Sequence, residues 1–398
     1  MGEWKNVRVG ELGKIITGKT PKTSISDNYG GRIPFLTPSD NMSVKYVGKT
    51  SKTLTEKGLL EVKNAILPEN SVCVSCIGSD LGKAIITTCP TVTNQQINSI
   101  IVDEKSFDVS FVYYAMQILG KKMNFISKTS TAVPIVNKSS FSSYEIKCPP
   151  REDQKRIAAV LSALDSKIEC NKKINDNLEQ QAVALFKSWF VDFSLFGGTV
   201  PENWDDTTLE NITTLITRGI APKYSDNSDQ TVVNQKCIRN HTIDLSLART
   251  HTPKAINEKW LKFGDLLINS TGDGTLGRVA QVWFAPKALT VDSHVTIVRP
   301  AREELIFYIG LWGILHEKEI ESLHTGSTGQ TELPRDRVKM LKLLLPDDSS
   351  LSRFNSIIAP MTSTIISNQE ENQKLANLRD TLLPKLMSGV IDVANVQL

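Results

Sequence analysis

Three short stretches of the sequence contain residue types that could perform chemistry, and each lacks part of what that chemistry requires. Cys73 and Cys76 form a CxxC pair, but no second pair follows at the spacing of a four-ligand zinc site. The run GSDLGKA at 78–84 resembles a phosphate-binding loop, yet it is one residue short and has Ala84 where Ser or Thr should bind magnesium. The run REDQK at 151–155 has nuclease-like spacing, but charge at a helix N-terminus explains it better. We therefore favour structural roles for all three.

The histidines and the methyltransferase motifs also argue against a duplicated active site. All five histidines lie in the second half of the chain, so a histidine-dependent site cannot occur in both halves, although one active copy could. The sequence contains no Asn/Asp-Pro-Pro-aromatic motif of methyltransferases. These features are consistent with a chain that binds rather than catalyses.

The composition is that of a soluble globular protein. The chain has 398 residues, of which 40% are apolar and 22% charged, which is enough for two or three domains. No stretch approaches the roughly 20 apolar residues that span a bilayer. The first ten residues, MGEWKNVRVG, lack the apolar region of a secretory signal, and the six cysteines suggest a reducing compartment. We expect a cytoplasmic protein.

The charges are unevenly distributed. Residues 1–150 carry 18 Lys and Arg against 12 Asp and Glu, whereas residues 194–346 carry 17 against 18. A mildly basic region suits a polyanionic partner. An ordinary solvated surface explains the same excess nearly as well, so charge alone does not decide the function.

The most informative feature is an internal duplication with an offset of about 200 residues. Trp4 matches Trp204, and the run SCIGSDLGKA at 75–84 resembles STGDGTLGRVA at 270–280. Each copy contains short apolar runs separated by Gly, Pro, Asn and Ser, which predict strands. One helix per copy is predicted, at 110–124 and at 303–323.

A helical segment with a coiled-coil period follows each copy. Its apolar positions are spaced alternately by four and three residues, which is a period of 3.5. The first seam reads Ile157, Leu161, Leu164, Ile168, Asn171, Asn175, Leu178, Ala182, Leu185, Trp189. The second seam, 197 residues later, reads Phe354, Ile358, Met361, Ile365, Asn368, Asn372, Leu375, Arg379, Leu382, Leu386. Both asparagines recur, so the helices were duplicated with the modules that precede them.

These patterns predict an α+β chain with two β-rich modules separated by two long helices. Each seam covers about 33 residues, or roughly 50 Å. A long helix with one apolar seam needs a partner, and pairing with its own copy gives an antiparallel coiled coil with pseudo-two-fold symmetry. In such a pair Asn171 faces Asn372 and Asn175 faces Asn368, so these amides would fix the register. Because one turn of B-DNA is about 34–36 Å, two modules so far apart suit a bipartite site with an unread spacer.

The sequence resembles the specificity subunits of type I restriction–modification systems over essentially its whole length. The resemblance rests on several motifs and on their order: VVNQKCIRN, GDLLINSTGDGTLGRVA, VTNQQIN, PPREDQKRIAAVLSALDSKIECNKKIN, LEQQAVALFKSWFVDF and LANLRDTLLPKLMSGVID. It implies target-recognition domains at 1–150 and 194–346, and conserved spacer helices at 151–193 and 347–398. We call the two recognition regions module 1 and module 2.

The resemblance also implies partners and cofactors. Two modification subunits would carry S-adenosylmethionine and methylate adenine N6 of double-stranded DNA. Two motor–nuclease subunits would use ATP and magnesium for restriction, while this chain would bind no cofactor or metal. A free-standing nuclease with duplicated recognition domains, or a coiled-coil adaptor, remains an alternative.

The candidate DNA-binding residues lie in the polar loops between predicted strands. Arg and Lys match guanine, Asn and Gln match adenine, and Lys, Arg, Ser and Thr suit phosphates. In module 1 the candidates are Lys19, Thr20, Lys22, Thr37, Ser39, Asn41, Ser79, Lys83, Asn94, Gln95, Gln96, Lys128, Thr129 and Ser130. In module 2 they are Arg218, Lys223, Tyr224, Gln235, Lys236, Arg239, Asn240, Thr271, Asp273, Thr275, Arg278, His294, Ser327, Thr328 and Gln330. A solvated turn or a local cap is the alternative for each of them.

Two expectations concern residues shared between modules or lying at a helix end. Gly82 and Gly277 recur in both modules, so we expect them to serve the turn rather than base readout. At the end of the first long helix, Trp189 lies on the seam and is expected to pack, whereas Phe190 lies off the seam and is expected to dock a modification subunit.

Overall fold

A computed structural model describes residues 3–128, 136–326 and 331–394, apart from the side chains of Ser79 and Lys128. The chain divides into two compact units. Unit 1 comprises Met1–Cys170 and Glu371–Leu398, and unit 2 comprises Asn171–Glu370. In the described part of the chain, no helix is both long and apolar enough to cross a membrane.

Unit 1 contains eleven strands, of which several are short, within the described ranges. The strands are β1 Lys5–Arg8, β2 Gly13–Thr17, β3 Tyr29–Leu36, β4 Tyr46–Val47, β5 Lys52–Leu54, β6 Ile66–Leu67, β7 Ser71–Ser75, β8 Ala84–Thr87, β9 Thr91–Thr93, β10 Ile97–Val102 and β11 Glu145–Cys148. The helices are α1 Glu56–Glu61, α2 Val109–Lys128, α3 Lys138–Ser143 and α4 Arg151–Phe190, the last of which continues into unit 2.

Two stacked sheets form the body of unit 1. One has the strand order β2-β10-β7-β8-β4 and the other β5-β3-β9-β6, while β1 pairs with β11. Every residue of β7 is buried, because both faces of its sheet are covered. Val72 and Val74 pack with helix α2 and the long helices, whereas Cys73 faces the second sheet. Period-two alternation therefore places the core of unit 1 on both sides of the five-stranded sheet.

Unit 2 repeats this plan. Its strands are β12 Asp205–Thr208, β13 Thr213–Arg218, β14 Thr231–Val233, β15 Ile238–Arg239, β16 Thr242–Ile243, β17 Arg249–Thr250, β18 Leu266–Asn269, β19 Val279–Gln281, β20 Leu289–Val291, β21 Val295–Pro300 and β22 Lys342–Leu345. Its helices are α5 Ile306–Leu315, α6 Glu317–Ser322, α7 Arg335–Lys339 and α8 Asp348–Met387, the last of which ends in unit 1.

The sheets of the two units correspond strand by strand. The order β13-β21-β18-β19 in unit 2 matches β2-β10-β7-β8 in unit 1, and β12 pairs with β22 as β1 pairs with β11. The second sheet of unit 2 is β17-β14-β20, and β15 and β16 form a separate hairpin. The duplication read from the sequence is thus a duplication of topology, and the predicted α+β fold is confirmed.

The two long helices pack antiparallel within each unit. In unit 1, Asp165 of α4 pairs with Arg379 of α8 at 2.8 Å, and Lys167 pairs with Glu371 at 3.3 Å. Every seam position that the sequence predicted is buried or half-buried. The helix period predicted from the 3.5-residue spacing is therefore confirmed in both helices.

Local chemistry explains where α8 begins and ends. Asp347 precedes the helix, and its carboxylate accepts hydrogen bonds from the backbone N–H and the hydroxyl of Ser350, at 3.0 and 2.7 Å. After the last turn, Gly389 has a φ of +76°, the left-handed conformation that commonly terminates a helix.

The expectation that Phe190 docks another subunit was wrong. Phe190 is only 6% exposed, and its ring contacts Trp204, Tyr308 and Phe354 with centroid separations of 5.5, 5.0 and 4.8 Å. Although Phe190 lies off the seam, module 2 covers that side of α4. Trp189 is also buried, as expected.

The helix expected at 303–323 is interrupted. It consists of α5 and α6, with His316 between them, and Nδ1 of His316 lies 2.7 Å from the Trp312 carbonyl. Glu317 starts α6 and accepts the Val279 N–H at 2.7 Å, which ties the second segment to strand β19. This contact joins residues 38 positions apart in the sequence, so the local sequence carries no signal for it.

The interpretation of the two shared glycines is confirmed. Gly82 and Gly277 have φ values of +86° and +85°, which glycine adopts without strain. A Cβ on Gly82 would lie 2.3 Å from the Gly120 carbonyl oxygen, and one on Gly277 would lie 2.7 Å from the Glu321 Cβ. Both glycines let a turn pack directly against a helix.

Candidate nucleic-acid interface

One group of predicted residues in unit 1 lies where the loops after β2 and β9 meet. The Thr20 hydroxyl donates to the Gln95 side-chain oxygen at 2.6 Å, and the Lys19 N–H donates to the Thr93 carbonyl at 2.8 Å. Asn94 and Gln96 bond each other within the second loop. These contacts leave Lys19, Thr20 and Gln95 exposed on one polar surface.

A second group in unit 1 joins the loop after β3 to the loop before β8. The Lys83 ammonium lies 2.6 Å from the Asp80 carboxylate and 3.4 Å from the Ser43 hydroxyl. Asn41 accepts the Ser43 N–H, which orders the same loop. The structure therefore brings the predicted residues Lys83 and Asn41 to one place.

Thr37, Ser39 and Lys22 make separate local contacts. The backbone N–H and hydroxyl of Thr37 both donate to Asp40, whose carboxylate also accepts the Ser51 N–H. Burial opposes ionisation of Asp40, but these hydrogen bonds outweigh it and lower the pKa of its carboxyl group. Ser39 is exposed beside this turn, and Lys22 is exposed near α1, where its N–H donates to Glu61.

In unit 2, three predicted residues from three segments form one hydrogen-bonded chain. The Thr271 hydroxyl lies 3.1 Å from the Gln235 side-chain oxygen and 2.7 Å from Nδ1 of His294. Thr275 donates to the Thr271 carbonyl at 3.2 Å. The side-chain amide of Asn269 donates a hydrogen bond to the Gln235 carbonyl at 3.1 Å. The chain orients an amide, a hydroxyl and an imidazole on one half-exposed surface.

The predicted arginines of unit 2 differ in how firmly they are held. Arg218 bonds Glu332 and the Leu333 carbonyl, so its guanidinium is occupied within the unit. Arg278 donates to the Gly274 carbonyl at 2.6 Å. Arg239 is exposed next to Asn240, at the tip of the β15–β16 hairpin.

The remaining candidates of unit 2 are exposed. Lys236 and Asp273 project from turns, and Lys223 lies beside Tyr224, which is 39% exposed and stacked 3.7 Å beneath the Arg249 guanidinium. Outside the described residues lie Thr129, Ser130, Ser327, Thr328 and Gln330, and the side chains of Ser79 and Lys128 are likewise not described.

The seam asparagines lie in the helix pair. Within unit 2, Asn368 donates to the Asn175 side-chain oxygen at 2.8 Å, and Asn175 donates to the Ile365 carbonyl at 3.2 Å. Asn171 is fully buried and Asn372 is half-buried. Their role in fixing the register stays a prediction.

Sequence reasoning missed a polar cluster in unit 1 that joins module 1 to both long helices. The Lys45 ammonium donates to the Ser162 hydroxyl at 2.7 Å and lies 3.2 Å from the Tyr114 hydroxyl. Tyr114 in turn donates to Asp165 at 2.5 Å, and Asp165 pairs with Arg379. Burial lowers the pKa of Lys45 to about 8, against the attraction of Asp165. The charged residue Arg379 on the seam of α8 was the available signal.

A second missed cluster lies in unit 2. His241 contacts Glu179 of α4 through Nδ1, and its Nε2 lies 3.6 Å from Glu317 of α6. Hydrogen bonds to these two carboxylates raise the pKa of His241 to about 10, although burial opposes the rise. His241 has a φ of +56°, which is unusual for a residue other than glycine.

Two of the stretches that resembled catalytic motifs lie in surroundings that fit structural roles. Cys73 and Cys76 are buried in different apolar clusters, and burial raises the pKa of the Cys73 thiol to about 12. Residues 151–155 form the first turn of α4. Among the described residues, no group of His, Cys, Asp or Glu is arranged to hold a metal ion.

Comparisons with known proteins agree with one another. A family model described as the type I restriction modification DNA specificity domain matches residues 1–180. The MjaIX specificity subunit of Methanocaldococcus jannaschii is 28% identical over 421 residues, which cover 98% of this chain and 94% of that protein. The HindI specificity subunit of Haemophilus influenzae is 32% identical over 180 residues, covering 44% of this chain and 39% of that protein.

A solved structure supports the fold. The crystal structure of a type I restriction–modification S subunit from M. genitalium matches with a TM-score of 0.54 at 16% identity. The match covers 97% of this chain and 96% of that one, so it concerns both modules and both helices.

Proposed function

We propose that the chain, which is similar to type I restriction–modification specificity subunits over nearly its whole length, recognises a bipartite, asymmetric DNA site. Module 1 reads one half of the site and module 2 reads the other. The surfaces that read the DNA are the polar loops described above, in which Lys, Arg, Asn, Gln, Ser and Thr side chains can contact bases and phosphates.

One observation carries this proposal: equivalent positions on the duplicated fold bear different polar groups. Gln96 directly precedes β10 in unit 1, and His294 directly precedes its counterpart β21 in unit 2. On the neighbouring strands, Cys76 directly follows β7 and Ser270 directly follows β18, and their N–H groups donate to the Gln96 and His294 carbonyls. A shared scaffold with different donors and acceptors suits the reading of two different half-sites.

We further propose that this chain is non-catalytic and acts through partner subunits. Two modification subunits methylate adenine N6 with S-adenosylmethionine, and two motor–nuclease subunits restrict unmethylated DNA with ATP and magnesium. Residues 1–150 and 194–346 are the recognition domains, and residues 151–193 and 347–398 are the helical regions that separate them. The complex acts on DNA in the cytoplasm.

Methylome sequencing of the host, with the gene intact and deleted, tests this proposal. We expect one adenine motif, made of two short blocks and an unread spacer, to disappear on deletion. Restoring the gene should restore the motif. If every bipartite adenine motif persists after deletion, the proposal is wrong.

An exchange of module 1 tests the assignment of half-sites. Replacing residues 1–150 with those of a relative should change one block of the motif and leave the other block and the spacer unchanged. The purified chain alone should neither cleave nor methylate DNA. Cleavage or methylation by the purified chain would favour the free-standing nuclease or a methyltransferase instead.

A further inference from the structure

Helix α2 of unit 1 ends in an exposed aromatic residue that packing does not explain. The side chain of Phe125 is 71% exposed, whereas Phe111 near the start of the same helix is fully buried. The next residue, Ile126, is 50% exposed. A phenylalanine with most of its ring in water forgoes the burial that normally stabilises it, so this position suits contact with another molecule.

The surroundings of Phe125 form a shaped groove. Gly82 and Gly120 pack backbone against backbone, since a Cβ on Gly120 would lie 1.8 Å from the Gly82 carbonyl oxygen. Asn124 donates to the Leu81 carbonyl at 3.2 Å, which fixes the helix to the same turn. The groove has a volume of about 390 Å³, and Phe125 lies along it.

The groove is basic. Lys121 lines it together with Lys83, which also pairs with Asp80 at 2.6 Å, and Lys122 is exposed on the same turn of the helix. Helix α2 contains no Asp or Glu, and its three lysines lie within its last eight residues. Lysines near a helix C-terminus also complement the helix dipole, but that effect explains neither the exposed ring nor the groove.

The counterpart in unit 2 has the opposite charge. Helix α6, which packs against Gly277 as α2 packs against Gly82, has the sequence EKEIES with three glutamates. In that helix Ile320 is fully buried. Among the described residues, α6 does not repeat the basic, aromatic end of α2.

We propose that Phe125 is a DNA wedge, which inserts between two stacked bases while Lys83 and Lys121 contact the flanking phosphates. This inference rests on the proposed function, and it extends that function by assigning a distortion of the DNA to module 1. Apolar side chains flanked by basic groups open base steps in this way, and an aromatic ring can replace the lost base stacking. Lys83 already lies beside the predicted DNA-contacting loop through Ser43.

The test uses the full chain in complex with its modification subunits and a duplex that contains the methylome-defined site. 2-Aminopurine is placed singly along the half-site read by module 1, because its fluorescence rises when it is unstacked. With the wild-type complex, one position should brighten on binding. Phe125→Ala should abolish this rise and weaken binding about tenfold, whereas Phe125→Leu should retain part of both.

A matched control and a charge variant sharpen the test. Leu60 in α1 is also 71% exposed, and Leu60→Ala should change neither fluorescence nor affinity. Lys121→Gln should reduce the slope of log affinity against log salt by about one, with the fluorescence rise preserved. Because Phe125 lies outside the core, hydrogen exchange of unit 1 should be the same in Phe125→Ala as in the wild type.

Two results would overturn the wedge, and a third would overturn the proposed function on which it rests. Full affinity and full fluorescence in Phe125→Ala would show that the ring does not enter the DNA, while the proposed function would stand. Loss of the modification subunit from the purified Phe125→Ala complex would make this surface a protein contact. If the wild-type complex does not bind the site, the proposed function itself fails.

Discussion

Two equivalent loops, one in each unit, attach their module to helix α4 through a basic side chain. In unit 1 the loop pairs with β8 in parallel through Tyr46 and Ile86, and Lys45 precedes that pair. In unit 2 the corresponding parallel bridge joins His241 to Ala280 of β19. The two loops occupy the same place on the duplicated fold, yet their surroundings shift the pKa values of the two basic groups in opposite directions.

Burial has the largest effect on the pKa of the basic group in unit 1, and hydrogen bonding has the largest effect in unit 2. Lys45 loses water inside a cluster of hydroxyl and aromatic groups, so its pKa falls to about 8. His241 lies between two carboxylates, so its pKa rises to about 10. The duplication thus preserved the strand pairing and replaced the chemistry of the attachment.

The helix ends show a second difference. In unit 2 the rings of Phe186, Trp189, Phe190 and Phe354 contact one another at centroid separations of 4.8 to 6.1 Å. The corresponding helix positions in unit 1 carry the side chains of Leu383, Leu386, Met387 and Ile157, none of which is aromatic. The same helical period therefore supports aromatic packing at these helix positions in unit 2 and aliphatic packing at the matching positions in unit 1.

The largest predicted effect comes from removing the centre of the aromatic cluster. Phe354→Ala should lower the free energy of unfolding of unit 2 by about 3–5 kcal/mol, because the ring is fully buried and contacts three other rings. Hydrogen exchange resolved by peptide measures the loss in each unit. The matched variant Ile157→Ala should destabilise unit 1 instead, and equal loss in both units for either variant would refute separate cores.

The second largest change in stability should come from removing the His241 side chain, which attaches module 2 to helix α4. At pH 6, His241→Gln should destabilise unit 2 by about 1.5–3 kcal/mol, because it removes charged hydrogen bonds to Glu179 and Glu317. Lys45→Met in unit 1 should change stability by less than about 1 kcal/mol, since the ammonium already loses solvation there. A larger loss for Lys45→Met than for His241→Gln would reverse the comparison.

The pH dependence of the two attachments should differ in sign. The pKa of His241 is higher in the folded state than its usual 6.5, so its contribution is present below pH 6.5 and is lost as the pH rises to about 10. The pKa of Lys45 is lower in the folded state than its usual 10.5, so unit 1 should gain stability as the pH rises from about 8. Unfolding is followed at several pH values, with His241→Gln and Lys45→Met as controls. This measures the slope of the free energy of unfolding against pH for each unit.

The features that the sequence predicted are those with a local or repeated pattern. The 3.5-residue spacing from Ile157 to Trp189 depends on helix geometry alone, and its copy 197 residues later identified the partner helix. The strand around Cys73 was predicted from a short apolar run, and the turn role of Gly82 from its recurrence in the second module. These signals do not require knowledge of which elements meet in space.

The features that were missed depend on contacts distant in the sequence. Lys45 bonds Ser162 across 117 positions, and His241 bonds Glu179 across 62. Phe190 lies off the seam, so its burial depends on module 2 covering that side of the helix. A residue's role in such clusters follows from the packing of the modules, and periodicity does not report it.

A buried histidine in unit 2 leads to a prediction with a smaller expected change in the free energy of unfolding. His251 pairs with Tyr224 through an isolated antiparallel bridge next to β17, and Leu54 pairs with Tyr29 in unit 1. Both histidine ring nitrogens are buried and make no hydrogen bond in the structure. His251→Leu should therefore stabilise unit 2 by about 1–2 kcal/mol, measured by thermal or denaturant unfolding. The reciprocal Leu54→His should destabilise unit 1, and a stabilising Leu54→His would contradict this reasoning.

The smallest effect concerns how the two long helices begin. Trp204 donates its indole N–H to Asp347 at 2.8 Å, whereas the indole N–H of Trp4, its counterpart, is buried without a hydrogen-bond partner. The reason is that Pro150 precedes α4 where Asp347 precedes α8, and proline offers no carboxylate. Asp347→Ala should cost unit 2 about 1 kcal/mol, while Pro150→Asp should stabilise unit 1 by a similar or smaller amount.

Acid unfolding distinguishes this cap from a general charge effect. Burial disfavours the ionised form of Asp347, but hydrogen bonds from Ser350 and Trp204 outweigh it and lower its pKa to about 2. Since the usual pKa is 3.8, the contribution of the cap is present above that value and is lost as the pH falls toward 2. Asp347→Asn should remove this part of the acid transition of unit 2, and Pro150→Asp should add one to unit 1. An unchanged acid transition in both variants would mean that the carboxylate at this position does not govern where the helix begins.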